Sequence, residues 1–178
     1  YIKGIRNFDI EKAYKAMRKN AFESPANEKD YQNGMGRRAL QSYLKYGYIP
    51  LEDSVPDAFH TKEQVSRTLE YAYDDFVLSQ VAKQLQKNED YKLLSVRAQN
   101  YRNVIDPQTG YAQGRYADGT FLKEQNAFLF AKFITEGAPC HYTWYVPHDP
   151  YGLMECMGGK EKFALKLDSM FSEHRYWH

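Results

Sequence analysis

Apolar side chains return every three or four positions from Ile10 through Ala13, Tyr14 and Met17 to Ala21. That stripe predicts an amphipathic helix capped by Asp9, running to Glu23 and stopped by Ser24-Pro25. The polar stretch from Ser24 to Gly34 loses the period and reads as a loop. A second helix is predicted from about Met35 to Tyr46, closed by Gly47, after which Tyr48-Ile49-Pro50 runs extended. Thr61 with Gln64 three residues later has the form of a capping box. Behind it Val65, Leu69, Ala72, Phe76, Ser79 and Leu85 keep one stripe facing inward, which makes this the longest helix of the chain. Asn88 is placed to cap the next helix, whose stripe is Tyr91, Leu94, Ala98 and Tyr101 and which Asp106-Pro107 ends.

Between Pro107 and Phe133 no period survives. Gly110, Gly114 and Gly119 punctuate an irregular segment whose length makes it a candidate functional loop. Helical pattern returns from Pro139 to Tyr145, briefly after Pro150, and from Lys160 to Phe171, where Phe163, Leu167, Met170 and Phe171 form the apolar face. Helix pairs joined by short connections predict an all-α, antiparallel arrangement without internal repeats or interdomain linkers.

Composition narrows the partners. The 178 residues carry 24 Lys+Arg against 23 Asp+Glu, a net charge of +1 that offers a nucleic acid no basic face. Apolar runs such as Ala127 to Ala131 fall far short of the roughly 20 residues of a membrane span. Cys140 and Cys156 form neither a disulfide framework nor a C-x-x-C pair and read as small buried residues. The first residues hold no signal-peptide pattern. A start at Tyr1 and an aromatic end at Tyr176-Trp177-His178 suggest a piece of a longer protein.

The densest chemistry lies in Thr135 to Asp149. Glu136 precedes Gly137 and a proline-initiated helix, so its carboxyl projects from a loop with Trp144 and Tyr145 close in sequence. Aromatic neighbours would desolvate it and favour the protonated form that a general acid needs, whereas the helix N-terminus favours the anion. A cap or a surface charge is the plainer reading of an isolated Glu. Trp144 and the many tyrosines suit either sugar stacking or core packing. His141 and His148 are interrupted by Pro147 and lack the i, i+4 spacing of a zinc pair. Asp74 and Asp75 point about 100° apart on a helix, so one faces inward and the other is solvated. Arg37-Arg38 reads as a solvated face or an ion pair, Ser79 has no triad partners, and no nucleotide-binding glycine motif occurs.

Several blocks together carry a resemblance: Tyr1-Ile2-Lys3-Gly4-Ile5-Arg6; Gly47-Tyr48-Ile49-Pro50; Thr68 to Phe76; Asp106-Pro107-Gln108-Thr109-Gly110-Tyr111 with Gly114 to Gly119; Thr135-Glu136-Gly137 through Tyr142-Thr143-Trp144-Tyr145-Val146-Pro147-His148-Asp149; and Met157-Gly158-Gly159-Lys160. With these the chain resembles the calcium-dependent, exo-acting, inverting α-mannosidases of glycoside hydrolase family 92. The resemblance implies an (α/α)6 toroid in which residues 1–178 are a single segment with roughly half of the helices. An N-terminal β-sandwich domain and the C-terminal part of the toroid would lie outside it. It further implies Glu136 as general acid, His141 and Trp144 as substrate-binding residues, and an aspartate general base in a downstream block beyond this chain. Calcium is the implied cofactor, with ligands that cannot be placed here. A mannose-containing glycan, α-1,2-linked, is the implied substrate, and a secreted or periplasmic location goes with it. Cys140 departs from the family, which usually carries Trp after the proline. The rival reading is a non-catalytic helical carbohydrate-binding or scaffold module, which follows if the chain is the whole molecule.

Overall fold

A computed structural model describes residues 1–53 and 62–172, and among these the chain is all-α. The elements are α1 (Ile10–Phe22), α2 (Glu28–Gln32), α3 (Leu40–Tyr46), α4 (Gln64–Gln84), α5 (Asn88–Arg97), a 3₁₀ turn (Asn100–Val104), α6 (Pro139–Tyr142), α7 (Pro150–Cys156) and α8 (Lys160–Ser172). The capping box residue Thr61 and the terminal Tyr176-Trp177-His178 lie outside the described residues.

The α4 helix is the centre of the packing. Val65, Leu69, Ala72 and Ser79 are fully buried as the stripe predicts, but so are Gln64, Ser66, Thr68, Asp75, Leu78 and Ala82 or nearly so. A helix buried on that many sides has neighbours nearly all round rather than one wet face. One group of neighbours joins Leu78, Val81 and Ala82 to Tyr14 and Ala21 of α1 and Leu94 of α5. The other joins Val65, Leu69 and Ala72 to Tyr48, Tyr101, Val104, Ile134, Val146, Leu153 and Met157. Glu63 at the N-cap and Arg67, Glu70 and Asp74 on α4 follow at three- and four-residue spacing as a polar strip, of which Asp74 is exposed and the others are partly covered.

Several boundaries differ from the periodic reading, each for a local reason. α1 begins as expected, with Asp9 accepting from the Lys12 amide at 3.0 Å. The predicted Ser24–Gly34 loop contains α2, capped by Asn27, which accepts from the Asp30 amide. α3 starts at Leu40 rather than Met35, because Gly34, Gly36 and Ala39 all have positive φ and cannot belong to a right-handed helix. α5 opens at Asn88 itself and stops at Arg97. The Ala98 carbonyl accepts from His148 Nε2 at 2.8 Å, and the Arg102 amide turns to Gln99 instead, giving a 3₁₀ turn. The Pro107–Phe133 segment is irregular as predicted, pinned by bridges Ile105–Ala112 and Arg115–Phe121. The expected apolar face of α8 is not buried: Phe163 is half-covered and Phe171 is 62% exposed.

One ionic cluster sits inside this packing. Asp75 is fully buried and takes Arg37 at 2.7 Å and Arg97 at 2.8 and 3.0 Å, with the Tyr43 hydroxyl at 3.1 Å. Asp74 faces outward, so the two aspartates divide as their angular separation predicts.

Candidate active-site segment

Glu136 is placed by α4. The N-terminal amides of that helix take backbone carbonyls in place of a described side-chain cap: Glu63 N donates to Lys132 O and Val65 N to Phe133 O, both at 3.0 Å. One turn on, Ser66 Oγ accepts from the Thr135 amide at 2.8 Å. Residues 132–135 are thereby laid along the first turn of α4. Beyond the loop, Gly137 O accepts from Ala131 N, and α6 begins at Pro139. Between these anchors Glu136 adopts φ 49°, a left-handed backbone that costs a non-glycine residue roughly 1–2 kcal/mol.

The expected desolvation of Glu136 by Trp144 and Tyr145 is corrected by this geometry: the Glu136 side chain is exposed. Both aromatics are engaged elsewhere. Trp144 donates its indole N–H to Cys140 O at 2.8 Å and packs edge-on against Phe163, half-buried at the margin of the core. Tyr145 packs against Tyr73 and Tyr142. His141 stands at the other side of the loop, its Nδ1 accepting from the Ala138 amide at 3.2 Å, which places the proton of the neutral ring on Nε2. Gly137 passes so close to that ring that an added Cβ would lie 3.1 Å from His141 Nδ1. Cys140 is buried beside Tyr111 and Ala138, and burial pushes its thiol up, which makes it an inert packing residue.

Two residues that the sequence did not single out join the loop. The Tyr142 hydroxyl donates to Glu70 Oε1 on the polar strip of α4. Burial and the Glu70 carboxylate both push the Tyr142 phenol up, so it stays a protonated donor. Glu70, with Glu63, Arg67 and Arg38, also lines a polar cavity of about 450 Å³. Glu70 lies in the Thr68 to Phe76 block, but nothing local assigns it a role at this loop, because its partner is 72 residues away. His148 is structural. It stacks on Phe76 at 5.3 Å, and burial pushes its imidazole below the usual 6.5. Asp149 caps α7 through the Gly152 amide at 2.9 Å and accepts from the Tyr101 hydroxyl at 2.7 Å.

Over its full length, residues 1–178, the chain matches the model of the glycosyl hydrolase family 92 catalytic domain. The chain belongs to glycosyl hydrolase family 92. As a family 92 segment it is similar to a family GH92 α-mannosidase from Bacteroides thetaiotaomicron, 37% identical, with a TM-score of 0.79 over 96% of this chain and 20% of that one. A family GH92 inverting mannosidase from the same organism is 35% identical, with a TM-score of 0.79 over 94% of this chain and 21% of that one. An uncharacterized secreted glycosidase of Arthroderma benhamiae is 28% identical, matched over 94% of this chain and 24% of its own length. The chain thus spans about a fifth of the solved relatives and about a quarter of the fungal one. Its all-α structure is that of a segment of the family's helical toroid. Among the described residues no three His, Cys, Asp or Glu side chains converge as a metal ion requires, so these residues do not fit calcium on their own. No described helix is long and apolar enough to cross a membrane.

Proposed function

We propose that the protein carrying this chain is an exo-acting, inverting α-mannosidase that removes terminal mannose, α-1,2-linked, from glycans, with Glu136 as its general acid. The observation that carries the reading is the backbone of Glu136. A carboxylate residue sits in a strained left-handed conformation, clamped on both sides to α4 and α6, and its carboxyl is left outside. Ala39, Glu63, Gln86 and Glu124 share the left-handed backbone, so what sets Glu136 apart is that conformation combined with anchors on both sides and an exposed carboxyl within the Thr135-Glu136-Gly137 block. Family membership and an inverting mannosidase among the relatives supply the reaction.

In that reaction the Glu136 carboxyl donates its proton to the glycosidic oxygen as the bond to the anomeric carbon breaks. A second carboxylate takes a proton from water, and the water oxygen bonds to the anomeric carbon from the opposite face, so mannose leaves with inverted configuration. The two carboxyls of such a pair stand about 6.5–9.5 Å apart to admit the water. In this reading the base, the wall that desolvates Glu136 and the N-terminal β-sandwich lie in the rest of the protein. His141, beside the loop, and the half-exposed Trp144 face the sugar. Calcium would be held largely by residues outside the described ones and would supply a hard cation for sugar hydroxyls. Secretion or export to the periplasm accords with the secreted fungal relative.

The test is turnover of an α-1,2-linked mannobiose by the full-length enzyme, with the first-formed anomer identified by NMR. β-Mannose should appear first, and Glu136→Gln should lower turnover by about a thousandfold. Retention of configuration, or near-normal turnover by the variant, would overturn the assignment.

A further inference from the structure

We propose that Glu70 and Tyr142 are positioning residues for the general acid: their hydrogen bond closes the 135–142 loop onto α4 and so fixes where the Glu136 carboxyl points. The inference rests on the reading of Glu136 as the acid. Every other anchor of the loop is a backbone group or a short contact at one end of it. On the upstream side these are the Lys132 and Phe133 carbonyls and the Thr135 amide. On the downstream side Gly137 O accepts from Ala131 N and Cys140 N donates to Ala127 O, while the Ala138 amide meets its own helix through His141. Tyr142 adds a side-chain link from α6 to α4 beside the backbone bond from Ala131 N to Gly137 O. Its hydroxyl donates to Glu70, which lies one helical turn beyond Ser66, the residue that holds the Thr135 amide just before Glu136. Removing this link leaves the downstream side held by backbone bonds alone, so the left-handed Glu136 can relax toward an ordinary conformation that swings the carboxyl away.

Tyr142 and Glu70 transfer no proton in this scheme, which gives them a signature distinct from general damage to the fold. A misplaced acid slows substrates whose leaving group must be protonated and spares those whose leaving group departs unaided. The experiment compares mannobiose with dinitrophenyl α-mannoside in the full-length enzyme and its Tyr142→Phe, Glu70→Ala, Glu70→Gln and Glu136→Gln variants, with Tm recorded for each. We expect Tyr142→Phe and Glu70→Ala to lower kcat on mannobiose by about 100-fold with KM little changed. Turnover of the dinitrophenyl mannoside should stay within a few-fold, and Glu70→Gln, which keeps an acceptor for the phenol, should recover most of the loss. Equal losses on both substrates, or none on either, would overturn the positioning role. The Glu136→Gln arm separates the two claims. If that variant fails to discriminate between the leaving groups, the acid assignment itself falls; if it discriminates and the Tyr142 and Glu70 variants do not, only the inference falls.

Discussion

Asp75 sets the charge balance of the interior. It is the one fully buried carboxylate between Arg37 and Arg97, and both guanidiniums also keep a buried nitrogen without a hydrogen-bond partner. Asp75→Asn should therefore destabilise the protein by about 3–5 kcal/mol, since it leaves two buried cations facing a neutral amide. Chemical denaturation measures this, and a loss below about 1 kcal/mol would mean that the cluster is solvated. His148 makes the complementary case with pH. Burial depresses its pKa in the folded state below 6.5, so the neutral ring favours folding above the unfolded value, and that contribution is lost as pH falls through the folded one. The Tm of the protein should fall on acidification below about pH 6.5, and His148→Phe, which can keep the stack on Phe76, should flatten that slope. An unchanged slope would place the titration elsewhere.

At the scale of elements, the buried line Val65, Leu69, Ala72 of α4 was legible because period and burial coincide in it. α1 was legible from its Asp9 cap and its period, although only Tyr14 and Ala21 of its stripe are buried and Met17 is exposed. The start of α3 was not legible. Ala39 takes φ 52° with nothing in its identity to announce it, and only Gly34 and Gly36 hint that the helix cannot begin at Met35. The end of α5 was hidden because its cause, His148, lies 50 residues away. The same limit governs the candidate site. The Thr135-Glu136-Gly137 block singled out Glu136, and the resemblance implied its role as the acid. The loop anchors Ser66 and Glu70 could not be found by pattern, since each meets its partner about 70 residues along the chain. The desolvation expected from Trp144 failed because sequence proximity says nothing of direction: that indole turns to Cys140 and Phe163.

For the whole molecule, surfaces left bare here are informative. Val77 on α4 and Tyr145 are exposed, and Leu165 and Phe171 stand 69% and 62% exposed on α8. In a protein whose solved relatives are about five times as long, such faces are natural seats for further helices of the toroid. The 178-residue chain by itself should therefore associate in light scattering and, on the proposed inverting mechanism with its second carboxyl in the rest of the protein, release no mannose from mannobiose. Mannose release by the chain alone would contradict the two-part site.

The central claim is proton donation by Glu136, and the most direct measurement of it is the leaving-group dependence of turnover in the full-length Glu136→Gln enzyme. The account predicts a steep dependence: mannobiose nearly inert and a dinitrophenyl mannoside cleaved at close to the native rate. A uniform loss across leaving groups, or no loss at all, would contradict it.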